Sequence, residues 1–292
     1  MRADPVDYEL LAPGNLPDVL SLLAHEPETW LPIAGGTDLM VLYASGRLSQ
    51  KKLVSLWNLP ELRFIDVADD EIRIGAGCTY TDIRNHPTIV HEFSLLTTAA
   101  RWTGSIANQN RGTLGGNIVN ASPAADSLPA LLIYEADLIL VSARGERRVL
   151  YTTFHTGYKS SVLAPDELIR AICLPRHFAN YISYSRKVGA RNAQAISKVC
   201  LAALGKLDRD TVTDVRIAIG SVAPVPLRLR GTEDALKGKA IDSHAIATAR
   251  SNAIAEIQPI DDIRSTAAYR AAVAGNLVVE FLNALRESIT RP

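Results

Sequence analysis

The sequence is short of the residues that mark several common classes of protein. Only three of its 292 residues are cysteine, Cys78, Cys173 and Cys200, and they lie singly within apolar, strand-like runs without metal-ligand spacing. An iron–sulfur cluster normally takes four cysteine ligands, so this chain cannot hold one unaided, and the three thiols read as core residues. The histidines, His25, His86, His91, His155, His177 and His244, are isolated from one another and form no metal pair at helical spacing. Neither sign of charge is in excess: 31 Lys and Arg face 31 Asp and Glu, so the overall charge does not favour nucleic acid. No stretch approaches the roughly 20 apolar residues that cross a bilayer, even around Leu277 to Leu285. The first ten residues carry Asp4, Asp7 and Glu9 and no apolar run, so no signal peptide or twin-arginine leader is expected and the cytoplasm is the expected location. No glycine is followed by Lys and Ser or Thr at Walker spacing, which disfavours nucleoside triphosphate hydrolysis.

What is present is a chain with 47% hydrophobic and 21% charged residues, the composition of an ordinary globular protein. Its length suits two or three packed units better than one. Helical spacing over Leu16–His25, an apolar run over 30–34 and a strand signal over 52–56 predict a small α/β unit. Alternation over 71–76 and strands over Asp137–Ser142 and 168–174 predict a second unit. Between them lies a long stretch rich in Gly, Asn and Ser, in which Leu114, Ile118 and Val119 argue against disorder. From Tyr181 the pattern changes to two long strands, 195–207 and 211–222, joined by a polar turn at Asp208 to Asp210. Helices over 243–257 and 265–289 follow.

Two glycine pairs carry the chemistry. Gly35-Gly36-Thr37-Asp38 follows Leu31-Pro32-Ile33-Ala34 directly, so the chain leaves a strand where two residues lack a Cβ and backbone amides can approach an anion. A helix starting near Thr37 or Asp38 would add its free N–H groups; the same residues also fit a tight turn with Asp38 as helix cap. Arg111-Gly112-Thr113-Leu114-Gly115-Gly116-Asn117 is the second such loop, and two of them could grip both phosphates of a dinucleotide. Gly75-Ala76-Gly77 starts like a Rossmann fingerprint but has Tyr80 where the third glycine belongs, so it is not read as one. Asn120-Ala121-Ser122 matches a glycosylation sequon by coincidence.

These loops, continued through Asn120-Ala121-Ser122-Pro123-Ala124-Ala125-Asp126-Ser127-Leu128-Pro129, closely resemble the FAD-binding medium subunit of the xanthine dehydrogenase and carbon monoxide dehydrogenase family of molybdenum hydroxylases. The likeness extends through Phe154-His155-Thr156-Gly157, Asp166-Glu167-Leu168-Ile169, Arg186-Lys187-Val188-Gly189 and Gly220-Ser221-Val222-Ala223-Pro224-Val225-Pro226, and so covers nearly the whole chain. It implies an α+β architecture: an FAD-binding fold of the vanillyl-alcohol oxidase type made of two α/β subdomains, 1–58 and 59–176, and a C-terminal domain of small antiparallel sheet and helices, 177–292. By resemblance, Ile33, Ala34, Gly35, Gly36, Thr37, Asp38 and Leu39 with Thr113, Leu114, Gly115, Gly116 and Asn117 would wrap the FAD pyrophosphate. Asn110 would lie nearby, and Ser122 and Asp126 would bond ribitol, ribose or phosphate groups. Ile169 would touch the flavin or adenine, and Lys187 would reach the flavin ring's polar edge, where a cation stabilises the anionic reduced form.

The resemblance implies electron relay. A large molybdopterin-binding subunit would hydroxylate a substrate, a small subunit's iron–sulfur clusters would carry the electrons, and FAD here would pass them to an acceptor, in a complex expected as a dimer of heterotrimers. A freestanding flavin oxidoreductase would need its own catalytic base beside the flavin, and no convincing one is visible. A scaffold that had lost the cofactor would have no need of the glycines and Asp126, all of which are present.

Overall fold

A computed structural model of the chain describes residues 4–191 and 194–290. Near the N-terminus, apolar residues Leu16, Val19, Leu20 and Leu23 recur at helical spacing and bury one face of α1 (Leu16–His25), whose first turn is capped by the Asn15 side chain accepting from Asp18 N. That face packs on a three-stranded parallel sheet of order β1-β3-β2, formed by β1 (Glu9–Leu11), β2 (Trp30–Ile33) and β3 (Lys52–Ser55), with α2 (Leu39–Ala44) between the last two.

The next strands, β4 (Ile65–Val67) and β5 (Glu71–Gly75), lead into six short helices: α3 (Tyr80–Asn85), α4 (Pro87–Glu92), α5 (Ser94–Trp102), α6 (Ile106–Gln109), α7 (Leu114–Asn120) and α8 (Leu128–Ile133). The Gly-, Asn- and Ser-rich stretch is therefore largely helical. Its polar residues start the helices. Thr79 and Asp82 form a capping box on α3, Ser105 caps α6 by accepting from Asn108 N, and Thr113 caps α7 by accepting from Gly116 N.

Strands β6 (Asp137–Ser142) and β7 (Gly145–Leu150) form a hairpin, a small ribbon pairs β8 (His155–Gly157) with β9 (Ser160–Ser161), and β10 (Leu168–Pro175) inserts between β5 and β6. The resulting five-stranded antiparallel sheet has order β4-β5-β10-β6-β7. Gly75 and Gly77, the pair rejected as a fingerprint, have a packing role instead, since a Cβ at either would come within 3 Å of the Leu62 carbonyl oxygen.

Beyond it, β11 (Ile182–Val188), β12 (Val199–Asp208), β13 (Thr211–Gly220) and β14 (Leu227–Arg228) make an antiparallel sheet in that order. The Asp208 to Asp210 turn is where the sequence placed it, although β12 begins at Val199 rather than near residue 195. Alternation along β12 divides its side chains between two cores. Ala202 and Leu204 join Leu128, Leu131 and the central cluster, while Leu201 and Ala203 face the C-terminal helices. Those helices are α9 (Arg230–Leu236), α10 (Ser243–Glu256) and α11 (Ala267–Thr290), and Ala274, Leu277, Val278, Phe281, Leu282 and Leu285 cover the sheet. Ion pairs fasten the join: Glu135, just after α8, meets Arg216 of β13 and Arg228 of β14. Among the described residues no helix is long and apolar enough to cross a membrane.

Candidate functional site

A cleft of about 840 Å³ opens where the helical stretch meets the C-terminal sheet, a volume within the range of cofactor sites, roughly 300–1,000 Å³. Asp38, Asn117, Ser122, Asp126 and Lys187, five of the residues singled out in the sequence, line it together. The others, except Ile169, lie near these in the chain but differ in exposure.

The first glycine loop leaves β2 at Ile33, whose carbonyl accepts from Leu56 N at 2.9 Å. Gly36 adopts φ +73°, a conformation natural to glycine, and turns the chain toward α2. Asp38 stands at the N-cap of α2, yet its side chain makes no capping bond. The amides of Gly35, Gly36, Thr37, Asp38 and Leu39 have no acceptor among the described residues, while Met40 N is the first to bond back, to Gly36 O. Five successive donors without a protein acceptor can receive an anion, and Asp38 of this run lines the cleft.

The second loop differs. Leu114 N donates to Cys78 O and Gly115 N to Ala76 O, both at 3.0 Å, and Gly116 N donates to the Thr113 hydroxyl at 3.1 Å. Its helix-start amides are already used. Leu114 is buried in the core, and Gly115 is bare because a Cβ there would lie 2.6 Å from Ala76 Cβ. What this loop offers a ligand is the exposed, side-chain-free face of Gly116 and the amide of Asn117. The Ser127 hydroxyl donates to Asn117 Oδ1 at 2.6 Å, which orients that amide. The two loops touch: a Cβ on Gly35 would fall 1.7 Å from the Arg111 carbonyl oxygen.

Asn110 is exposed and accepts from the Thr81 hydroxyl at 2.5 Å. Ser122 accepts from Ala124 N at 3.3 Å at the turn below Asp126. Ile169 lies apart from the rest, 4% exposed on β10 within the central core and not on the cleft wall.

Asp126 and Lys187 form a buried ion pair, Nζ to Oδ2 2.6 Å, with side chains 8% and 6% exposed. Lys187 also donates to the Trp102 carbonyl at 3.1 Å, and the Ser197 hydroxyl donates to Asp126 Oδ1 at 2.5 Å. Burial pushes the Asp126 carboxyl up from the ordinary range, opposed by the Lys187 ammonium and the Ser197 hydroxyl.

Sequence reasoning missed the C-terminal wall. Ser221, at φ +69°, donates its amide to Pro123 O at 2.8 Å and its hydroxyl to Ser197 O at 3.0 Å. Arg270, 3% exposed, donates to Lys198 O, Ser221 O and Asp262, and so draws the strand ends and the loop at 258–265 into one wall. The motif at 220–226 was a signal for Ser221; nothing in the local pattern announced Ser197 or Arg270. Among the described residues no group of His, Cys, Asp or Glu is arranged to hold a metal ion.

Unpaired amides for a diphosphate, an oriented amide and hydroxyl, and a carboxylate beside a cation for polyol hydroxyls match the needs of a dinucleotide such as FAD. Comparison with known proteins agrees. The family described as "FAD binding domain in molybdopterin dehydrogenase" matches residues 6–177, and that described as "CO dehydrogenase flavoprotein C-terminal domain" matches 184–285. The xanthine dehydrogenase FAD-binding subunit of Escherichia coli O157:H7 is 30% identical over 88% of both chains. The carbon monoxide dehydrogenase medium chain of Hydrogenophaga pseudoflava is 29% identical over 96% of this chain and 97% of that one. In structure, the carbon monoxide dehydrogenase of H. pseudoflava superposes with a TM-score of 0.92 at 29% identity, covering 97% of this chain and 98% of the other.

Proposed function

Because the chain belongs to the family of FAD-binding subunits of molybdopterin dehydrogenases, we propose that it is the flavin subunit of a heteromeric molybdenum hydroxylase. The FAD it holds serves as the carrier between a partner's iron–sulfur clusters and an external acceptor. Its partners are a large molybdopterin-binding subunit and a small iron–sulfur subunit, assembled as a dimer of heterotrimers in the cytoplasm.

The observation that carries this reading is the run of unpaired amides over residues 35–39 standing beside a cleft of cofactor size. Ile33, Ala34, Gly35, Gly36, Thr37, Asp38 and Leu39 receive the diphosphate, and Gly116 and Asn117 close over it, with Thr113, Leu114 and Gly115 holding that second loop. Asn110 stands at the rim. Ser122 and Asp126 take sugar or ribityl hydroxyls. Lys187, paired with Asp126, places its ammonium beside the flavin, whereas Ile169, expected to touch the flavin or adenine, sits in the central core away from the cleft wall.

The test is to purify the full chain, record its visible spectrum, and identify any cofactor released by acid. Released FAD, or stoichiometric uptake of added FAD, is the expected result. A folded chain that stays colourless with excess FAD overturns the reading.

A further inference from the structure

Arg111 carries a charge that meets no carboxylate among the described residues, and its guanidinium instead lies 3.7 Å from the centroid of the Trp57 ring. Arg63 stands farther from the same ring, at 5.5 Å, and is held by Asp82 at 3.1 Å. The two stacked residues belong to different loops. Trp57 lies two residues past β3, next to Leu56, whose N–H bonds Ile33 O at the base of the first glycine loop. Arg111 opens the second loop, where the Asn108 carbonyl accepts from both Arg111 N and Gly112 N.

The backbones meet at the same place. Gly35 touches the Arg111 carbonyl so closely that no Cβ fits, and a Cβ on Gly112 would lie 3.4 Å from Thr37 Oγ1. The stack is thus a side-chain tie across a backbone contact. A planar guanidinium on an indole face is held by electrostatics and by shape, which an ammonium does not reproduce.

Building on the FAD reading, we infer that Arg111 is a positioning residue for the dinucleotide's diphosphate: stacked on Trp57, it fastens the second glycine loop to the segment after β3 that bonds the base of the first, and so holds the unpaired amides of residues 35–39 ready for the phosphates. The tie acts before the ligand arrives. It saves the ordering of a loop that would otherwise accompany binding.

The experiment is an FAD titration of the full chain and its variants, followed by calorimetry. Arg111→Ala and Trp57→Ala should each raise the dissociation constant about fivefold. Arg111→Lys should lose nearly as much, because it keeps the charge and not the plane, whereas Trp57→Phe should bind nearly as the parent does. The double variant, Arg111→Ala with Trp57→Ala, should be no worse than either single change, since both remove one contact. An unchanged constant in Arg111→Ala, additive losses in the double variant, or a lower unfolding temperature of the FAD-free chain with an unchanged constant would each overturn the assignment. A parent chain that takes up no FAD sinks the flavin reading and this inference together, so the two failures are distinguishable.

Discussion

The Lys187 ammonium and the Asp126 carboxylate, separated by 61 positions in sequence, share a bond of 2.6 Å and are both nearly excluded from water. The pair sets the electrostatics of the cleft floor. A lone lysine would present a full positive charge to a ligand there, but with Asp126 attached the two present a dipole whose direction, more than its net charge, acts on what lies above.

Replacing Lys187 by Met should therefore harm the fold before it harms the chemistry. It strands the Asp126 carboxyl, which burial already pushes up, without its counter-ion, and breaking a buried pair in this way costs about 3–5 kcal/mol. Denaturant titration should show that loss at neutral pH, and adding Asp126→Asn to Lys187→Met should recover more than half of it. An equal loss in the single and double variants would mean that the pair does not hold the cleft floor.

The thiols should be silent. Cys78, Cys173 and Cys200 are buried, and burial pushes Cys78 up to about 12 and Cys173 to about 11. Cys200 is shifted upward as well, with its sulfur packed on Gly220. Since the thiolate is the reactive form, a disulfide reagent at pH 8 should titrate no thiol in the native chain and three after denaturation. Rapid reaction of any one in the native state would contradict its burial.

Strong acid should loosen the C-terminal wall. Asp262 is held down to about 2, because bonds from Arg264, Arg270 and the amides of Arg264 and Ser265 outweigh its desolvation. A carboxylate whose folded value lies below its unfolded one, about 3.9, contributes stability that is full above that value and lost as pH falls through the folded one. Unfolding midpoints should thus fall between pH 4 and pH 2, and Asp262→Asn should flatten that part of the profile while lowering stability at neutral pH. A variant whose acid profile matches the parent's would place the sensitive carboxylate elsewhere.

How much of this could be read from sequence depended on the length over which a pattern runs. Helix α1 shows four buried apolar residues at helical spacing, and the β12–β13 hairpin runs for ten residues, mostly apolar, on each side of a polar turn, so both were legible. Helices α3 to α8 run for only four to nine residues, too few for a period to declare itself. The glycine loops were visible as glycine loops, but their difference was not. Whether an amide is free depends on partners distant in sequence, and for Leu114 and Gly115 those are the carbonyls of Cys78 and Ala76. Asp126 and Lys187 could be named one at a time; their union and the bond from Ser197 exist only in three dimensions.

The sharpest contrast is between neighbouring glycines. Gly35 needs its missing Cβ because the atom it would meet is backbone, the Arg111 carbonyl oxygen at 1.7 Å, and neither loop can yield without separating from the other. Gly36 needs its backbone freedom, since φ is +73° and a Cβ would meet only side chains, Met40 at 3.2 Å and Ile33 at 3.5 Å. Alanine in the left-handed region costs about 1–2 kcal/mol, so Gly36→Ala should weaken FAD retention while leaving it measurable. Gly35→Ala should leave no flavin on the protein after desalting, with the C-terminal core still folded by circular dichroism. Flavin retained by Gly35→Ala at the parent's level would show that the two loops need not touch for the cofactor to bind.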